Sequence, residues 1–265
     1  VEPIAHIVTL TTDFGLGEYV GAMKGAILAV DPEATIIDID HTIRPQDIHH
    51  GAYVMYSAIP AFPFAVHMGV VDPGVGTKRR AIVAVCEGAI LVGPDNGLLI
   101  PIARRLGLKE VREITNRKLR RGELSDTFHG RDLFAPVAAH LLTGTKVKDV
   151  GPVVKDFVDL DFGRPRKLRG GTEAEVITQD RFGNLITNVP RTLGEREWSF
   201  GDRLKVSLGG YELVLPLVRT YGEVTAGDFL AAFSSSGFLE IAKREGSAAA
   251  TLDARAGVPV RIERA

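Results

Sequence analysis

Along the first 150 or so residues, short β-branched runs alternate with stretches whose apolar positions recur every three or four residues. Ile4 to Leu10 is an apolar run that ends at Thr11-Thr12-Asp13 and reads as a strand; Tyr19, Met23, Ile27 and Val30 then repeat at helical spacing until Asp31-Pro32 stops them. The alternation continues with a strand over Thr35 to Ile39, a helix from about Asp47 to Ser57, and a strand from Phe64 to Val71. Two runs, Ala81 to Val85 and Ala89 to Val92, flank Cys86-Glu87-Gly88 and predict a hairpin. A helix near Leu98 to Leu106, a short strand near Val111 to Ile114 and a helix from about Asp132 to Leu142 complete this half. Strands separated by helices predict βαβ units and a mainly parallel sheet, whose ligands sit beyond the carboxyl ends of the strands. Asp13 and Asp72 both lie at such ends.

The pattern changes after a charged, Gly- and Pro-rich stretch that includes Gly163-Arg-Pro-Arg-Lys-Leu-Arg-Gly-Gly171. We read an α/β domain over 1–155, a linker over 156–171 and a second domain over 172–265. In the latter, short strand-like pieces (Ala174 to Thr178, Asn184 to Thr187, Arg203 to Leu208, Tyr211 to Leu217, Val258 to Ile262) punctuated by glycine predict a small β-barrel or sandwich.

Composition narrows the class without choosing a function. Of 265 residues, 45% are hydrophobic and 25% charged, the balance of a globular chain with a sizeable core. Thirty-two basic residues against 33 acidic ones give no field to draw in DNA, RNA or an anionic membrane, so neither nucleic acid nor membrane is an expected partner. A single Cys, Cys86, excludes a disulfide scaffold and cysteine zinc sites and reads as a buried, inert thiol. No apolar stretch approaches ~20 residues and no targeting pattern is read at the N-terminus, so the cytoplasm is the expected location.

Six short stretches hold candidate chemistry. In GVVDPGVGTKRR, Gly69 to Arg80, an acid sits between a strand end and a Pro/Gly turn with three basic residues behind it. Such a carboxylate, with a guanidinium one loop away, is either a structural ion pair or the frame around a small nucleophile. In TTDFGLGEYVG, Thr11 to Gly21, Val20 stands where the third glycine of G-x-G-x-x-G belongs. Asp13 there suits a ribose diol or a metal, and equally a helix cap. RPQDIHHG, Arg44 to Gly51, has adjacent histidines that do not share a helix face, and no zinc-type spacing occurs, so no metal is expected. SDTFHGRDLFAP, Ser125 to Pro136, places His129 and Gly130 before a helix: a base or oriented hydrogen-bond partner beside a glycine that lets a substrate approach, or a surface histidine. In QDRFGNLITN, Gln179 to Asn188, Asp180 can accept from an ammonium and Asn184 can donate and accept, although turn chemistry alone also accounts for both. FSSSGFLEIAKREG, Phe233 to Gly246, reads as three serines and a glycine ahead of an amphipathic helix whose N-terminus favours an anion.

Taken in order, TDFG, VVDPGVGTKRR, GPDNG, FHGRD, DRFGN and SSSGFLEIA closely resemble the S-adenosylmethionine hydroxide adenosyltransferases, hydrolase relatives of the fluorinating and chlorinating enzymes. The resemblance runs from Thr11 to about Gly246. It implies an N-terminal α/β domain joined to a small C-terminal β-barrel, in a homotrimer with active sites between neighbouring subunits. It further implies that water or hydroxide attacks the ribose C5′ of S-adenosylmethionine, giving adenosine and L-methionine, with no cofactor and no metal. The roles it implies are Asp72, Arg79 and His129 as the triad that holds and activates water, Asp13 as ribose ligand, and Asp180 with Ser235 or Ser236 as ligands of the methionine part. Gly130, Asn184 and Glu240 would line the substrate, and Tyr221 would stack on adenine.

Departures from the halide-using relatives bear on the nucleophile. Those enzymes have Ser where this chain has Gly130 and an aromatic residue where it has Asp72, and a carboxylate repels a halide. Many relatives also begin the serine motif with Asn, where this chain has Ser234. Hydroxide attack on a sulfonium brings opposite charges together in a site with little bulk water; Arg79 stabilises developing hydroxide, and His129 or Asp72 takes the proton. The alternatives are a halide-using sibling, a metal-dependent hydrolase built on Asp13, Asp72, His49 and His129, and an adenosine- or S-adenosylmethionine-binding module without turnover.

Overall fold

The computed structural model describes residues 6–265, so the expected strand start at Ile4 lies outside the described residues. The chain divides into two compact units, one ending at Asp161 and the other spanning Phe162–Ala265.

The first unit follows the alternation in the sequence: β1 (Ile7–Thr12), α1 (Glu18–Leu28), β2 (Thr35–Asp40), α2 (Ile48–Ala58), β3 (Val66–Val70), β4 (Ala81–Cys86), β5 (Ala89–Pro94), α3 (Ile100–Arg105), β6 (Glu110–Glu113), α4 (Ala135–Leu142) and β7 (Val153–Val154). The sheet order is β2-β1-β3-β5-β4-β6-β7. Pairing is parallel from β2 to β5 and antiparallel from β5 to β7, so β4 and β7 alone run against the other strands. Alternate strand residues serve the two faces. Val8 and Leu10 of β1 share one core with Met23 and Ile27 of α1 and Val137 of α4, whereas a side chain on Gly69 of β3 would run into Met55 of α2 and Leu98. Burial on both faces explains the near-continuous apolar runs of β3, β4 and β5.

The second unit is all-antiparallel in its named strands: β8 (Arg166–Leu168), β9 (Gly171–Gln179), β10 (Leu185–Pro190), β11 (Arg203–Leu208), β12 (Tyr211–Pro216), β13 (Phe229–Phe233), β14 (Phe238–Lys243) and β15 (Pro259–Arg264), with short helices α5 (Arg191–Glu197) and α6 (Ala248–Thr251). The order is β12-β11-β15-β9-β10-β14-β13, with β8 on the first part of β9. A bridge between Leu217 and Ala231, with Val218 N–H donating to Ala231 O at 2.9 Å, brings the end of β12 to β13 and nearly closes a barrel. Val176, Leu185, Trp198, Leu204, Leu239 and Ile262 fill it.

One element differs in type from the expectation. Phe238–Lys243 is a strand between β10 and β13, and the helix expected after Gly237 does not form. Every residue from Phe238 to Ala242 is buried, as in a strand covered on both faces, and the short sequence FLEIAK lacks the alternation that would separate that from a helix segment. Without the helix, the Ser-rich stretch has no helix N-terminus to offer an anion.

Candidate active site

The carboxyl ends of β1 and β3 are neighbours, Thr12 pairing with Val70, and Asp13 and Asp72 follow them. Asp72 opens the loop to β4. Inside it, Val75 N–H donates to Asp72 O and Thr77 N–H to Gly74 O, both at 3.2 Å, and the Thr77 hydroxyl donates to Gly74 O at 2.7 Å. Gly76 has φ +74°, and a Cβ there would fall 2.2 Å from Asp126 O. Only glycine meets both demands, and the contact presses this loop onto the one that leads to His129.

Arg79, at the far end of the loop, returns to Asp72 in a two-pronged pair: Nε to Oδ1 at 3.1 Å and Nη2 to Oδ2 at 2.5 Å. The two side chains are 8% and 4% exposed. Nη1 donates to Arg80 O at 3.1 Å, the guanidinium lies 5.4 Å from the Phe134 ring centroid, and Nη2 is 3.0 Å from His129 Nδ1. Because a guanidinium only donates, Nδ1 is the acceptor, and neutral His129 therefore has its proton on Nε2. Burial lowers the His129 pKa from its ordinary value and the Arg79 charge lowers it further, against the opposing pull of Asp72, Asp132 and Asp126. His129 immediately precedes a π-helical turn, Gly130–Phe134, that runs into α4.

Asp13 accepts the Gln46 N–H on Oδ2 at 2.8 Å, and Oδ1 has no partner among the described residues. Phe14, Tyr19 and Phe128 meet at centroid distances of 5.2 to 5.9 Å, which ties the Asp13 loop to the His129 loop. Packing also holds position 130 to glycine. The side-chain position it leaves empty is occupied by core atoms: a Cβ would stand 2.8 Å from Met23 Sδ and 3.3 Å from the Phe14 ring. The residue lets α1 and the π turn pack.

The remaining candidates lie in the second unit. Asp180 closes its own turn: Oδ1 accepts the N–H groups of Phe182 and Asn184, both at 2.9 Å, and Oδ2 accepts Asn184 Nδ2 at 2.9 Å. Turn chemistry thus accounts for the pair, while lone pairs remain on Oδ2. Ser234 to Gly237 is the β13–β14 turn, with Ser234 Oγ 2.7 Å from Ser236 Oγ; Ser236 is buried and Ser235 is exposed. The Tyr221 hydroxyl donates to Glu240 Oε1, and the Tyr221 ring is half exposed. Burial pushes the Glu240 carboxyl up to about 7, the Tyr221 hydroxyl acting the other way and Asp180 adding to the rise.

Two supporting residues had no role assigned from sequence. Asn96, in GPDNG, donates from Nδ2 to Val71 O at 2.8 Å, directly before Asp72, and caps Leu98 N–H with Oδ1 at 3.1 Å. Gln46 acts on Asp13 through its backbone. An Asp-Asn-Gly turn after an apolar run flags the first; backbone donors leave no such signal. Among the described residues no cluster of three or more His, Cys, Asp or Glu side chains is arranged to hold a metal ion, and no helix is long and apolar enough to cross a membrane. Cys86 is buried, its thiol pushed up to about 12 by burial.

A carboxylate, a guanidinium and a neutral imidazole joined beyond the strand ends of an α/β sheet make a centre of the hydrolase kind, able to hold and polarise a water molecule. The chain belongs to the SAM hydroxide adenosyltransferase family: residues 8–151 match the model of its N-terminal domain and residues 174–261 that of its C-terminal domain. It is 39% identical to the (R)-S-adenosyl-L-methionine hydrolase of Salinispora tropica, over 96% of this chain and 97% of that one. The crystal structure of an uncharacterized conserved protein from Thermotoga maritima superposes with a TM-score of 0.90 at 39% identity, covering 97% of this chain and 100% of the other. A fluorinase from an Actinoplanes species is more distant, 29% identical over 98% of each chain.

Proposed function

We infer that the chain hydrolyses S-adenosyl-L-methionine to adenosine and L-methionine. The observation behind the chemistry is the part-buried Asp72–Arg79–His129 group, in which one guanidinium binds both the carboxylate and the imidazole. Water held there attacks C5′ in line with the C5′–S bond, whose electron pair leaves with sulfur as the neutral thioether of methionine. His129 donates from Nε2 to the water and orients it, since its Nδ1 lone pair is engaged by Arg79. Asp72 takes the proton as the C5′–O bond forms and the attacking water becomes acidic. Arg79 offsets the negative charge that develops on oxygen.

S-adenosyl-L-methionine is then the substrate, with no cofactor required, and the (R) configuration in the relative's name is the sulfonium epimer we assign to this chain. Asp13 takes the ribose diol; Asp180, Ser235 and Ser236 take the methionine amino acid; Gly130, Asn184, Glu240 and Tyr221 complete the pocket. We further propose a homotrimer in which the first unit of one subunit meets the second unit of its neighbour. Exposed apolar side chains beside both sets of residues support this: Leu16, 84% exposed, follows Asp13, and Phe182, 77% exposed, follows Asp180.

Reaction in ¹⁸O-labelled water tests the chemistry. One label in the adenosine 5′-hydroxyl and none in methionine is expected; label in neither product sinks the reading. Mixing inactive Asp72→Ala chains with inactive Asp180→Ala chains tests the assembly, because mixed trimers regain some sites with both acids. No recovery after proven subunit exchange counts against shared sites.

A further inference from the structure

The stretch Arg44 to Gly51, conspicuous in the sequence for its histidines, contributes a strained backbone to the site. Gln46 has φ +65°, in the left-handed region that residues with a side chain seldom adopt. Such a conformation persists only where the surroundings over-determine it, and here they do. Arg44 Nε and Nη2 both reach Asp47 Oδ2 at 2.9 Å, Asp47 N–H donates to Arg44 O at 3.0 Å, and Ile48 N–H donates to Gln46 O at 3.1 Å. Asp47 Oδ1 accepts His50 N–H at 2.9 Å and caps α2, so the turn is anchored on a helix that packs against the sheet.

The strain serves a single contact. With the chain turned this way, the Gln46 amide faces back to Asp13 Oδ2 at 2.8 Å, while the following residue, Asp47, caps α2. The Asp13 carboxylate is thereby fixed in rotation through one oxygen, and Oδ1, without a partner among the described residues, is left for a ligand. A diol needs both carboxylate oxygens at set positions, and a carboxylate free to rotate loses that advantage on binding.

We propose that Gln46 is a positioning residue for recognition of a vicinal diol, acting through its backbone N–H and not its side chain. The inference rests on reading Asp13 as the ribose ligand. It distinguishes Gln46 from residues that touch the reacting atoms: its effect falls on nucleoside affinity.

The test uses the full chain, two probes, adenosine and 2′,3′-dideoxyadenosine, and calorimetric Kd values. Gln46→Gly keeps the N–H and accepts a positive φ; its Kd for adenosine should stay within about threefold of the unaltered chain. Gln46→Val resists a positive φ, and Gln46→Pro also removes the N–H. Both should weaken adenosine about tenfold or more, with dideoxyadenosine changed less than about twofold. Val serves as the milder variant should Pro disturb the fold. If Gln46→Gly loses as much as Gln46→Val, the side chain is responsible and the proposal is wrong. Equal losses for both nucleosides would mean that the turn matters only for folding, which also overturns it. The ribose reading fails separately: an unaltered chain that binds the two nucleosides alike removes that reading, and the inference with it.

Discussion

Two buried carboxyl groups, one in each unit, meet different surroundings. Asp72 lies against a permanent cation, Arg79, with both oxygens engaged. Glu240 is as deeply buried, yet its one partner among the described residues is the Tyr221 hydroxyl, and its carboxyl is pushed up to about 7. Burial without a cationic partner raises the Glu240 carboxyl, whereas Asp72 has Arg79 as its counter-ion. The Asp72 group comes with its charge balanced and can act on a neutral water. Among the described residues no cation is paired with Glu240.

The largest expected effect comes from breaking the balanced side of this comparison. Asp72→Ala, Arg79→Ala or His129→Ala should each lower kcat by ~10²-fold or more with KM little changed, measured as adenosine formation. Near-normal turnover in Asp72→Ala would remove the group from the chemistry. The arginine left unpaired should also lower the melting temperature.

The two units should next differ in their response to pH. His67 on β3 is buried and held neutral, its pKa lowered by burial from 6.5 to about 4. The folded value lies below the unfolded one, so its contribution is intact above pH 6.5 and is lost as pH falls towards 4, by up to about 3 kcal/mol. For Glu240 the folded value, about 7, lies above the ordinary 4.5. Its contribution is fully present below pH 4.5 and is lost as pH rises through 7. Melting curves between pH 4 and 9 should show the acid limb relieved in His67→Gln and the alkaline limb relieved in Glu240→Gln. The opposite assignment would contradict the burial argument.

A smaller effect concerns Gly130. Gly130→Ser, the residue of the halide-using relatives, should cost about 1–3 kcal/mol in urea unfolding, because Met23 must move. With Asp72 in place it should form no 5′-halo-5′-deoxyadenosine in high chloride or fluoride. The smallest effect is a proton count. Near pH 7 binding of substrate should release about half a proton as Glu240 ionises, read by calorimetry in buffers of different ionisation enthalpy, and Glu240→Gln should bring this to near zero.

The first unit was legible because its strands and helices differ in period, and its site because Asp72, Arg79 and His129 stand in a recognisable order of motifs. The second unit was harder. Phe229–Phe233 has no strand pattern of its own and Phe238–Lys243 has the look of a helix, because short runs buried on both faces lose the alternation that marks a half-exposed strand. At the site, Gln46 escaped because its contribution is an amide in an unusual conformation, and conformation is decided by the Arg44–Asp47 pair and the cap on α2. Gly130 stands out in the sequence as a glycine before a helix, but the packing of Met23 and Phe14 against its missing side chain leaves no sequence signal.

The π-helical turn after His129 has a consequence for how the chain tolerates changes in length. Such a turn holds one residue more than an α-helix of the same rise. Removing one residue between Gly130 and Phe134 would let the segment relax into regular helix of nearly the same rise and rotation, so that His129 would keep its place beside Arg79. A deletion within α4 itself meets no such slack and would turn the segments on either side by about 100° relative to each other.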